Sequence, residues 1–323
     1  MSRFEEWLAK VEEELSRMEW PGFPANLYEP MGYILGLGGK RVRPVAVLMA
    51  NACFKGSVER ALPAAMAVEV FHNFTLMHDD IMDEAPVRRG KTTVHKKWNT
   101  TVAILSGDAM MVKAYQQLEK LSPEHLIPVL TLFNKTAIEV CEGQQLDMDF
   151  ESLHKVSLVD YLEMIRLKTA VLLAASLQMG AITSNASAED QQFIYDFGIN
   201  LGLAFQLQDD LLDCFADSAK FGKQPGGDIL ENKKTFLLLK AMEKADNRHM
   251  EEIVAILELE STNDKKVDRM LTIYRELGID RIAADQVLFY TEKAMESLQK
   301  VSLPDYEKKP LFDMASMLMG RES

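Results

Sequence analysis

Residues 61–84 read ALPAAMAVEVFHNFTLMHDDIMDE, an almost unbroken apolar stretch that ends in a cluster of carboxylates. Its apolar side chains surround the whole helical circumference, which is typical of a helix that is buried on most sides. Pro86 is expected to end this helix. Two further stretches, at about 158–182 and 190–217, have the same character. The sequence therefore predicts three central helices.

Composition also favours an all-helical protein. The chain has 323 residues, of which 47% are hydrophobic, so it can bury a substantial core. Its 17 Gly and 11 Pro are too few for the turns of an all-β fold. Gly and Pro cluster at 221–231, where we expect a loop before a helix that begins near Lys234, and amphipathic helices are expected after about Val267, with a break at Pro304. Because no linker or repeat interrupts the pattern, residues 1–323 are predicted to form one domain.

Charge and cysteine content exclude several classes of protein. The chain carries 36 Lys and Arg against 49 Asp and Glu, a net charge of −13, and has no basic stripe that could follow a nucleic-acid backbone. The cysteines, Cys53, Cys141 and Cys214, lie far apart in apolar stretches, so we expect reduced core residues and neither disulfides nor a zinc site. No apolar run reaches the roughly 18 residues of a transmembrane helix, and the N-terminus lacks the apolar core of a signal peptide. We therefore expect a cytoplasmic protein with no integral membrane segment and no nucleic-acid partner.

The carboxylates that end the first stretch are spaced for one side of a helix. Asp79 and Asp83 are at i, i+4, and Asp80 and Asp83 are at i, i+3, so all three are expected on one flank. Like charges at such spacing repel each other by roughly 0.2–0.5 kcal/mol on an exposed helix, and desolvation beside an apolar segment adds to that cost. A cation should therefore neutralise them. Mg²⁺ suits this set, because it is held by one or two carboxylates together with water and substrate phosphates.

A second acidic cluster repeats the pattern Asp-Asp-apolar-apolar-Asp at Asp209, Asp210 and Asp213. A single cluster of this kind is more often a solvated helix face than a metal site. Here both copies follow apolar stretches and both precede positively charged residues, which favours a functional pair. Two facing clusters could bind one diphosphate through shared Mg²⁺ ions.

Two basic motifs fit a diphosphate substrate. Residues 38–44, GGKRVRP, place two small residues, which allow close approach of the backbone, before three cations. Lys168 and Thr169 occur within another apolar stretch, where an uncompensated ammonium group would be costly. Either an anionic ligand or a structural ion pair with a buried carboxylate could compensate the charge of Lys168, and the sequence leaves both open.

In this order, the motifs resemble those of the trans-isoprenyl diphosphate synthases, also called polyprenyl synthetases, which join an allylic diphosphate to isopentenyl diphosphate. The resemblance covers about 38–235 and includes GGKRVRP, the first acidic motif with its following Arg-Arg-Gly, the Lys-Thr pair, the second acidic motif with its preceding Phe-Gln, and a Gly-Gly-Asp to Lys-Lys-Thr stretch. It implies an all-α, single-domain antiparallel helical bundle that surrounds a central apolar cavity. It also implies a homodimer and three Mg²⁺ ions in each active site.

The resemblance implies a role for each matching residue. The carboxylates that bind Mg²⁺ directly are Asp79, Asp83 and Asp209, and those that support them are Asp80, Asp210 and Asp213. The residues that hold the allylic diphosphate are Arg88, Lys168, Gln206, Lys223 and Lys233, with Thr169 also assigned to substrate binding and with Lys168 and Lys223 counted as catalytic. Those that hold isopentenyl diphosphate are Lys40, Arg43, His72 and Arg89. Ionisation, condensation and loss of a proton then give a head-to-tail product.

Aromatic residues of the first stretch bear on product length. Phe74 lies five residues before Asp79, roughly 7.5 Å along a helix, and Phe71 lies about one turn deeper. Such residues are often plain core packing, but the resemblance makes them the floor of the product cavity in a short-chain synthase. Thr75, beside Phe74, is small, whereas farnesyl-type members of the family have a pair of adjacent aromatic residues, so the resemblance implies geranylgeranyl diphosphate rather than farnesyl diphosphate as the product.

Two other functions use part of the same pattern. A terpene cyclase also has an Asp-rich helix and Mg²⁺, but its second metal motif normally contains Asn, Ser or Thr, and Glu, and it needs no second diphosphate site. A catalytically silent helical subunit could regulate a partner synthase, but such subunits lose aspartates that this chain retains. Incubation with both diphosphates and Mg²⁺ distinguishes the three functions by their products.

Overall fold

The computed structural model describes residues 3–153, 155–215, 226–260 and 264–320. Over these residues the chain is helical apart from loops and one short hairpin, which confirms the all-α prediction. The helices are α1 (Arg3–Ser16), α2 (Ala25–Leu35), α3 (Val42–Cys53), α4 (Val58–Met82), α5 (Val94–Lys97), α6 (Thr100–Leu118), α7 (Pro123–Ser152), α8 (Leu158–Ile165), α9 (Val171–Thr183), α10 (Ala188–Phe215), α11 (Gly227–Leu230), α12 (Phe236–Lys244), α13 (Asn247–Leu257), α14 (Asp264–Glu276), α15 (Ile279–Lys300) and α16 (Asp305–Met319). A π turn (Arg166–Ala170) joins α8 to α9, and the hairpin joins β1 (Val87–Arg88) to β2 (Lys91–Thr92).

Contacts between Cα atoms divide the chain into two compact units. The first contains the described parts of Met1–Asn134, Ala175–Tyr195 and Val301–Leu311. The second contains the described parts of Lys135–Ala174, Asp196–Lys300 and Phe312–Ser323. The expectation that residues 1–323 form one domain stays a prediction.

α4 is the central helix of the first unit and packs against α3 and α6. It spans Val58–Met82, close to the predicted 61–84, and every residue of 64–71 is buried. The helix is therefore buried on most sides, as its composition predicted. It ends at Asp83, whose N–H group donates to the carbonyl of Asp79 at 2.9 Å. The acidic motif thus occupies the last turn and the C-cap.

The β1–β2 hairpin is a short strand pair that follows the end of α4. Arg88 pairs with Lys91 across it. The two turn residues, Arg89 and Gly90, have φ angles of 51° and 73°, the left-handed conformation that a two-residue hairpin turn requires. The hairpin therefore carries two consecutive arginines, Arg88 at the end of β1 and Arg89 in the turn.

The second unit has its own hydrophobic core, to which α8, α10, α12, α13, α14 and α15 contribute. α11, at Gly227–Leu230, falls within the predicted loop, so the expectation of a loop throughout 221–231 is wrong at that position. The N–H group of Asp228 in this helix donates to the Asp213 carboxylate, which satisfies a donor that a first helical turn leaves open. Residues 216–225 lie outside the described part of the chain.

Among the described residues, one helical segment is long and apolar enough to cross a membrane. It covers Leu158–Thr183, 26 residues, so the expectation that every apolar run is too short is wrong. Within its most apolar window, 78% of the residues are buried inside the protein, and the core helices of globular proteins meet the same criterion.

The cysteines are free thiols, as predicted. Cys53 and Cys214 are buried, but Cys141 is exposed on α7, so its expected core position is wrong. Burial raises the pKa of Cys53 to about 12, which keeps that thiol protonated.

Candidate active site

The first acidic motif lies at the C-terminal end of α4 in the first unit. Asp83 is exposed, and 19% of the Asp79 side chain is exposed. Asp80 is turned inward, where Arg88 Nε donates to its Oδ1 at 2.7 Å. Arg88 Nη2 also donates to Asp79 Oδ2, at 3.3 Å. The expectation that all three carboxylates share one flank is therefore wrong for Asp80, because an arginine of the hairpin binds it inside the protein.

These carboxylates occupy an electrostatically unfavourable position. The C-terminal end of a helix carries a partial negative charge, to which Asp79 and Asp83 add. Burial raises the pKa of Asp80, although Arg88 opposes the shift. The partly exposed carboxylate of Asp79 and the exposed carboxylate of Asp83 suit Mg²⁺, which needs one or two carboxylates beside water and phosphate. Within the described residues, no three carboxylate, imidazole or thiol groups form a closed metal cage, and Mg²⁺ sites of this type do not require one.

The second acidic motif lies near the end of α10 in the second unit. Asp209 is exposed. Asp210 is 4% exposed and accepts hydrogen bonds from the Tyr161 hydroxyl and from Gln206 Nε2, the latter at 3.1 Å. Burial raises the pKa of the Asp210 carboxyl to about 7, although these hydrogen bonds oppose the shift.

Asp213 joins the second motif to α11. Its Oδ2 accepts a hydrogen bond from the Asp228 N–H group at 3.0 Å, and its carbonyl oxygen accepts one from the Gly226 N–H group at 2.7 Å. Burial and the neighbouring Asp213 charge raise the pKa of Asp228 to about 6. Lys233 is exposed, with Nζ 3.9 Å from Asp228 Oδ1. Lys223, which the resemblance assigns to the allylic diphosphate, lies outside the described residues.

The two motifs share one local arrangement. In each, the second aspartate is buried and hydrogen-bonded to protein groups, whereas the first is accessible. Asp80 and Asp210 therefore orient the surrounding protein groups. Asp79 and Asp209 can reach a ligand that arrives from solvent.

Cationic side chains surround His72 in the first unit. Arg43 Nη1 donates to His72 Nε2 at 3.2 Å, which places the proton of the neutral ring on Nδ1. Burial lowers the pKa of Arg43 to about 10, to which Arg89 contributes, and Arg43 Nε is buried with no hydrogen-bond partner among the described residues. Burial also holds the pKa of His72 well below its usual value, and the surrounding arginines add to the effect. Lys40, which lies just before α3 and three residues before Arg43, is exposed. So many like charges around one ring indicate a site for an anion.

His72 predicts a loss of stability in acid. Because its pKa is lower in the folded protein than in the unfolded chain, the unfolded chain binds a proton first as the pH falls below about 6.5. The free energy of unfolding should therefore decline from about pH 6.5 downward, and His72→Gln should make that decline shallower. Urea unfolding midpoints at several pH values measure this effect. Parallel pH profiles for the wild type and the variant would contradict the prediction.

Arg41, the middle cation of residues 38–44, is directed into the protein. Its side chain is 1% exposed and pairs with Glu69, Nη1 to Oε1 at 2.6 Å, and with Glu12, Nε to Oε1 at 2.8 Å. Its Nη2 donates to the carbonyl of Leu35 at 2.6 Å. Arg41 is therefore a structural cation that a buried carboxylate of α4 binds, and it is not among the cations assigned to a diphosphate.

The glycines of the same motif bring the loop against Arg89. The Arg89 guanidinium donates to the carbonyl of Gly38. A Cβ atom at Gly39 would lie 2.8 Å from Arg89 Cζ, so a side chain there would displace the guanidinium group. This contact ties the loop at 38–44 to the hairpin that also carries Arg88.

Lys168 and Thr169 lie in the π turn, in the second unit. Lys168 Nζ pairs with Asp147 Oδ2 at 2.5 Å, and the two side chains are 26% and 23% exposed. The ion pair that the sequence left open is therefore present, but a ligand can still reach the ammonium group. Thr169 Oγ1 donates to Gln206 Oε1 at 3.2 Å.

Asp147 and Tyr161 contact the predicted site residues Lys168 and Asp210, and the sequence motifs revealed neither of them. Asp147 lies on the same side of α7 as Gly143 and Phe150, and both of these residues are buried. A carboxylate within an otherwise apolar stripe of a helix is unusual, and this feature of the sequence could have identified Asp147. Tyr161 gave no comparable signal, because most buried aromatic residues simply contribute to the core.

Phe74 belongs to a row of aromatic rings in the first unit. Its ring centroid is 4.8 Å from that of His78 and 5.6 Å from that of Phe71. Phe71 is 0% exposed and packs against Phe133 at 5.2 Å. Thr75 Oγ1 donates to a carbonyl of its own helix at 2.8 Å. Phe74 is partly exposed, whereas Phe71 is enclosed behind it.

Comparisons with known proteins identify the family to which similar chains belong. The family model described as Polyprenyl synthetase matches residues 24–274. A geranylgeranyl diphosphate synthase from Methanosarcina mazei is 43% identical over 223 residues, which are 68% of this chain and 69% of that protein. A geranylfarnesyl diphosphate synthase from Natronomonas pharaonis is 35% identical over 317 residues, which are 92% of this chain and 91% of that protein.

A solved structure gives the same result. The crystal structure of a geranylgeranyl pyrophosphate synthase superposes with a TM-score of 0.94 at 45% identity, covering 100% of both chains. The match to the family model includes both acidic motifs and extends beyond the 38–235 over which the motifs were recognised. The chain therefore belongs to the polyprenyl synthetase family, as its sequence motifs predicted.

Proposed function

We propose that this protein is a short-chain prenyltransferase that joins an allylic diphosphate to isopentenyl diphosphate, head to tail. The observation that carries the proposal is the β1–β2 hairpin. Arg88 binds the acidic motif of α4, and the next residue, Arg89, binds Gly38 of the 38–44 motif, which also contains Lys40 and Arg43. One turn thus connects a carboxylate site for Mg²⁺ with a cationic site for a diphosphate. A reaction between two diphosphates needs both sites, whereas a cyclase needs only the first.

The carboxylates divide into ligands and supporting groups. Those proposed to bind Mg²⁺ directly are Asp79, Asp83 and Asp209, with three ions in each active site. Bound Mg²⁺ would draw electrons into the leaving diphosphate and so promote ionisation of the allylic carbon–oxygen bond. Those proposed to support the ligands are Asp80, Asp210 and Asp213, each of which already accepts hydrogen bonds from protein groups.

The chain's own side chains bind and orient the two substrates. Those proposed for isopentenyl diphosphate are Lys40, Arg43, His72 and Arg89. Those proposed for the allylic diphosphate are Arg88, Lys168, Thr169, Gln206, Lys223 and Lys233. The allylic carbon–oxygen bond breaks, the isopentenyl double bond attacks the allylic carbon, and the leaving diphosphate takes the proton that is lost. No side-chain nucleophile or base is therefore needed.

A single incubation tests this function against its alternatives. The purified protein is mixed with isopentenyl diphosphate, geranyl diphosphate and MgCl₂, and the products are separated by chain length. An elongated prenyl diphosphate supports the proposal. A cyclised hydrocarbon would indicate a terpene cyclase, and no reaction would indicate a silent regulatory subunit. Chelation of the metal with EDTA should stop elongation, and added MgCl₂ should restore it.

We expect geranylgeranyl diphosphate as the main product, with farnesyl diphosphate as the second choice. The partly exposed ring of Phe74 beside the small Thr75 supports a short chain. The relatives described above, named as synthases of geranylgeranyl and geranylfarnesyl diphosphate, also support it.

Phe74→Ala should lengthen the product. Removing the partly exposed ring opens space in front of Phe71, so most of the product should gain at least one isoprene unit. Val70→Ala is the control, because it shortens a fully buried side chain of the same helix and should leave the product unchanged. Chromatography of the dephosphorylated products measures the distribution. An unchanged distribution for Phe74→Ala would remove Phe74 from the floor of the cavity.

The protein is also proposed to be a cytoplasmic homodimer. α6 exposes apolar side chains, with Leu105 and Val112 each 58% exposed, and such residues favour contact with another chain. Sedimentation equilibrium tests this assembly, since a mass equal to one chain would contradict it. Fractionation of cells tests the location.

A further inference from the structure

Backbone contacts that only glycine permits surround the π turn at Arg166–Ala170. A Cβ atom at Gly143 of α7 would lie 2.7 Å from Lys168 Cα and closer still to Lys168 N. Real Cβ atoms do not approach backbone atoms this closely, so any side chain at this position would push α7 away from the turn. A Cβ atom at Gly202 of α10 would lie 2.6 Å from Ala170 Cα. The turn is therefore in close backbone contact with two helices.

These contacts determine the direction of the Lys168 side chain. A π turn holds one residue more than an α-helical turn, so relaxation to α geometry would rotate Lys168 by about 100° relative to the residues that follow. In the observed turn, Lys168 Nζ meets Asp147, which lies one helical turn after Gly143 on α7. Thr169 meets Gln206 in the same turn. The π geometry of the turn thus determines the direction of both the Lys168 and the Thr169 side chains.

We propose that Gly143 is a positioning residue for the allylic diphosphate. Its missing side chain lets α7 hold the π turn in the form that presents Lys168 and Thr169 together. The inference rests on the proposed function, in which these two residues bind that substrate. π turns occur frequently at functional sites, which agrees with such a role. A glycine that served packing alone would affect stability without selecting between the two substrates.

Gly143→Ala tests this role against a matched glycine. Gly180 of α9 is equally confined, because a Cβ atom there would lie 2.8 Å from Asn51 N and closer still to Val47 O. We expect Gly143→Ala to raise KM for geranyl diphosphate about tenfold and to change KM for isopentenyl diphosphate by less than about twofold. Gly180→Ala should lower the thermal stability by a similar amount, but its KM for geranyl diphosphate should stay within about twofold of the wild-type value.

The outcomes separate this inference from the proposed function. Equal rises of both KM values in Gly143→Ala, or a matching rise for geranyl diphosphate in Gly180→Ala, overturn the positioning role. Lys168→Ala is the reference variant. If it leaves KM for geranyl diphosphate unchanged, the proposed role of Lys168 is wrong. If it raises that KM while Gly143→Ala does not, only the positioning role of Gly143 is wrong.

A measurement on the wild type covers the case in which Gly143→Ala does not fold. Hydrogen–deuterium exchange of the amides in Arg166–Ala170 is recorded with and without geranyl diphosphate. A turn that α7 holds exchanges slowly before any ligand is added, so the substrate should slow its exchange by less than about twofold. Fast exchange that slows only with geranyl diphosphate overturns the inference, because the ligand would then order the turn.

Discussion

Asp79→Asn is expected to lower kcat about a thousandfold while the protein stays folded. Asp79 is the accessible carboxylate in the last turn of α4, and the amide of Asn brings no negative charge to Mg²⁺. Its contact with Arg88 spans 3.3 Å between side chains that are 23% and 19% exposed, so its loss should cost less than about 1 kcal/mol of folding free energy. Steady-state rates at saturating substrate and increasing MgCl₂ measure the effect.

Two further variants separate metal binding from a general loss of charge. Asp108→Asn removes an exposed carboxylate of α6 in the same unit and should keep kcat within about twofold. Asp80→Asn removes the buried partner of Arg88, so its main effect should be a lower free energy of unfolding. If Asp79→Asn keeps more than about a tenth of the wild-type kcat, Asp79 does not bind the catalytic metal.

The central helix could be predicted from the sequence, but the π turn could not. A run of apolar residues around the helical circumference specifies a buried helix locally, and the predicted 61–84 differs from Val58–Met82 only at its ends. The π turn instead depends on the approach of Gly143 from a different helix. The sequence pattern within Arg166–Ala170 does not indicate this contact, because the same residues also fit a regular α-helix.

The acidic motifs could be found because one pattern occurs twice, but spacing alone cannot tell which carboxylate is accessible. Asp79 and Asp80 look equivalent in the sequence, but in the structure Asp80 is buried with Arg88 Nε at 2.7 Å, whereas Asp79 stays partly exposed at a longer distance from the same arginine. The basic motif presents the same difficulty. Three cations follow its glycines, and Arg41 is the buried one because Glu69, from another helix, lies opposite it.

Glu69→Gln is expected to lower the free energy of unfolding by about 3 kcal/mol. The side chains of Arg41 and Glu69 are 1% and 2% exposed, so the variant leaves a guanidinium in the core with an uncharged partner. Breaking such a buried pair costs about 3–5 kcal/mol, and the lower value applies because Glu12 still pairs with Arg41. Asn73, which donates to Glu69 Oε1 at 2.8 Å, loses its charged partner as well. Urea unfolding curves measure the change.

Glu12→Gln is the matched control, because it removes the other carboxylate from the same arginine. Glu12 is 45% exposed, so water replaces the lost interaction and the free energy of unfolding should fall by less than about 1 kcal/mol. Arg41 lies between Lys40 and Arg43 and holds this part of the chain against α4. Glu69→Gln should therefore also raise KM for isopentenyl diphosphate more than Glu12→Gln does. Equal losses of stability in the two variants would mean that burial does not set the strength of this pair. The chain around Lys40 would then be held in place by the contact between Gly38 and Arg89 of the hairpin rather than by Arg41.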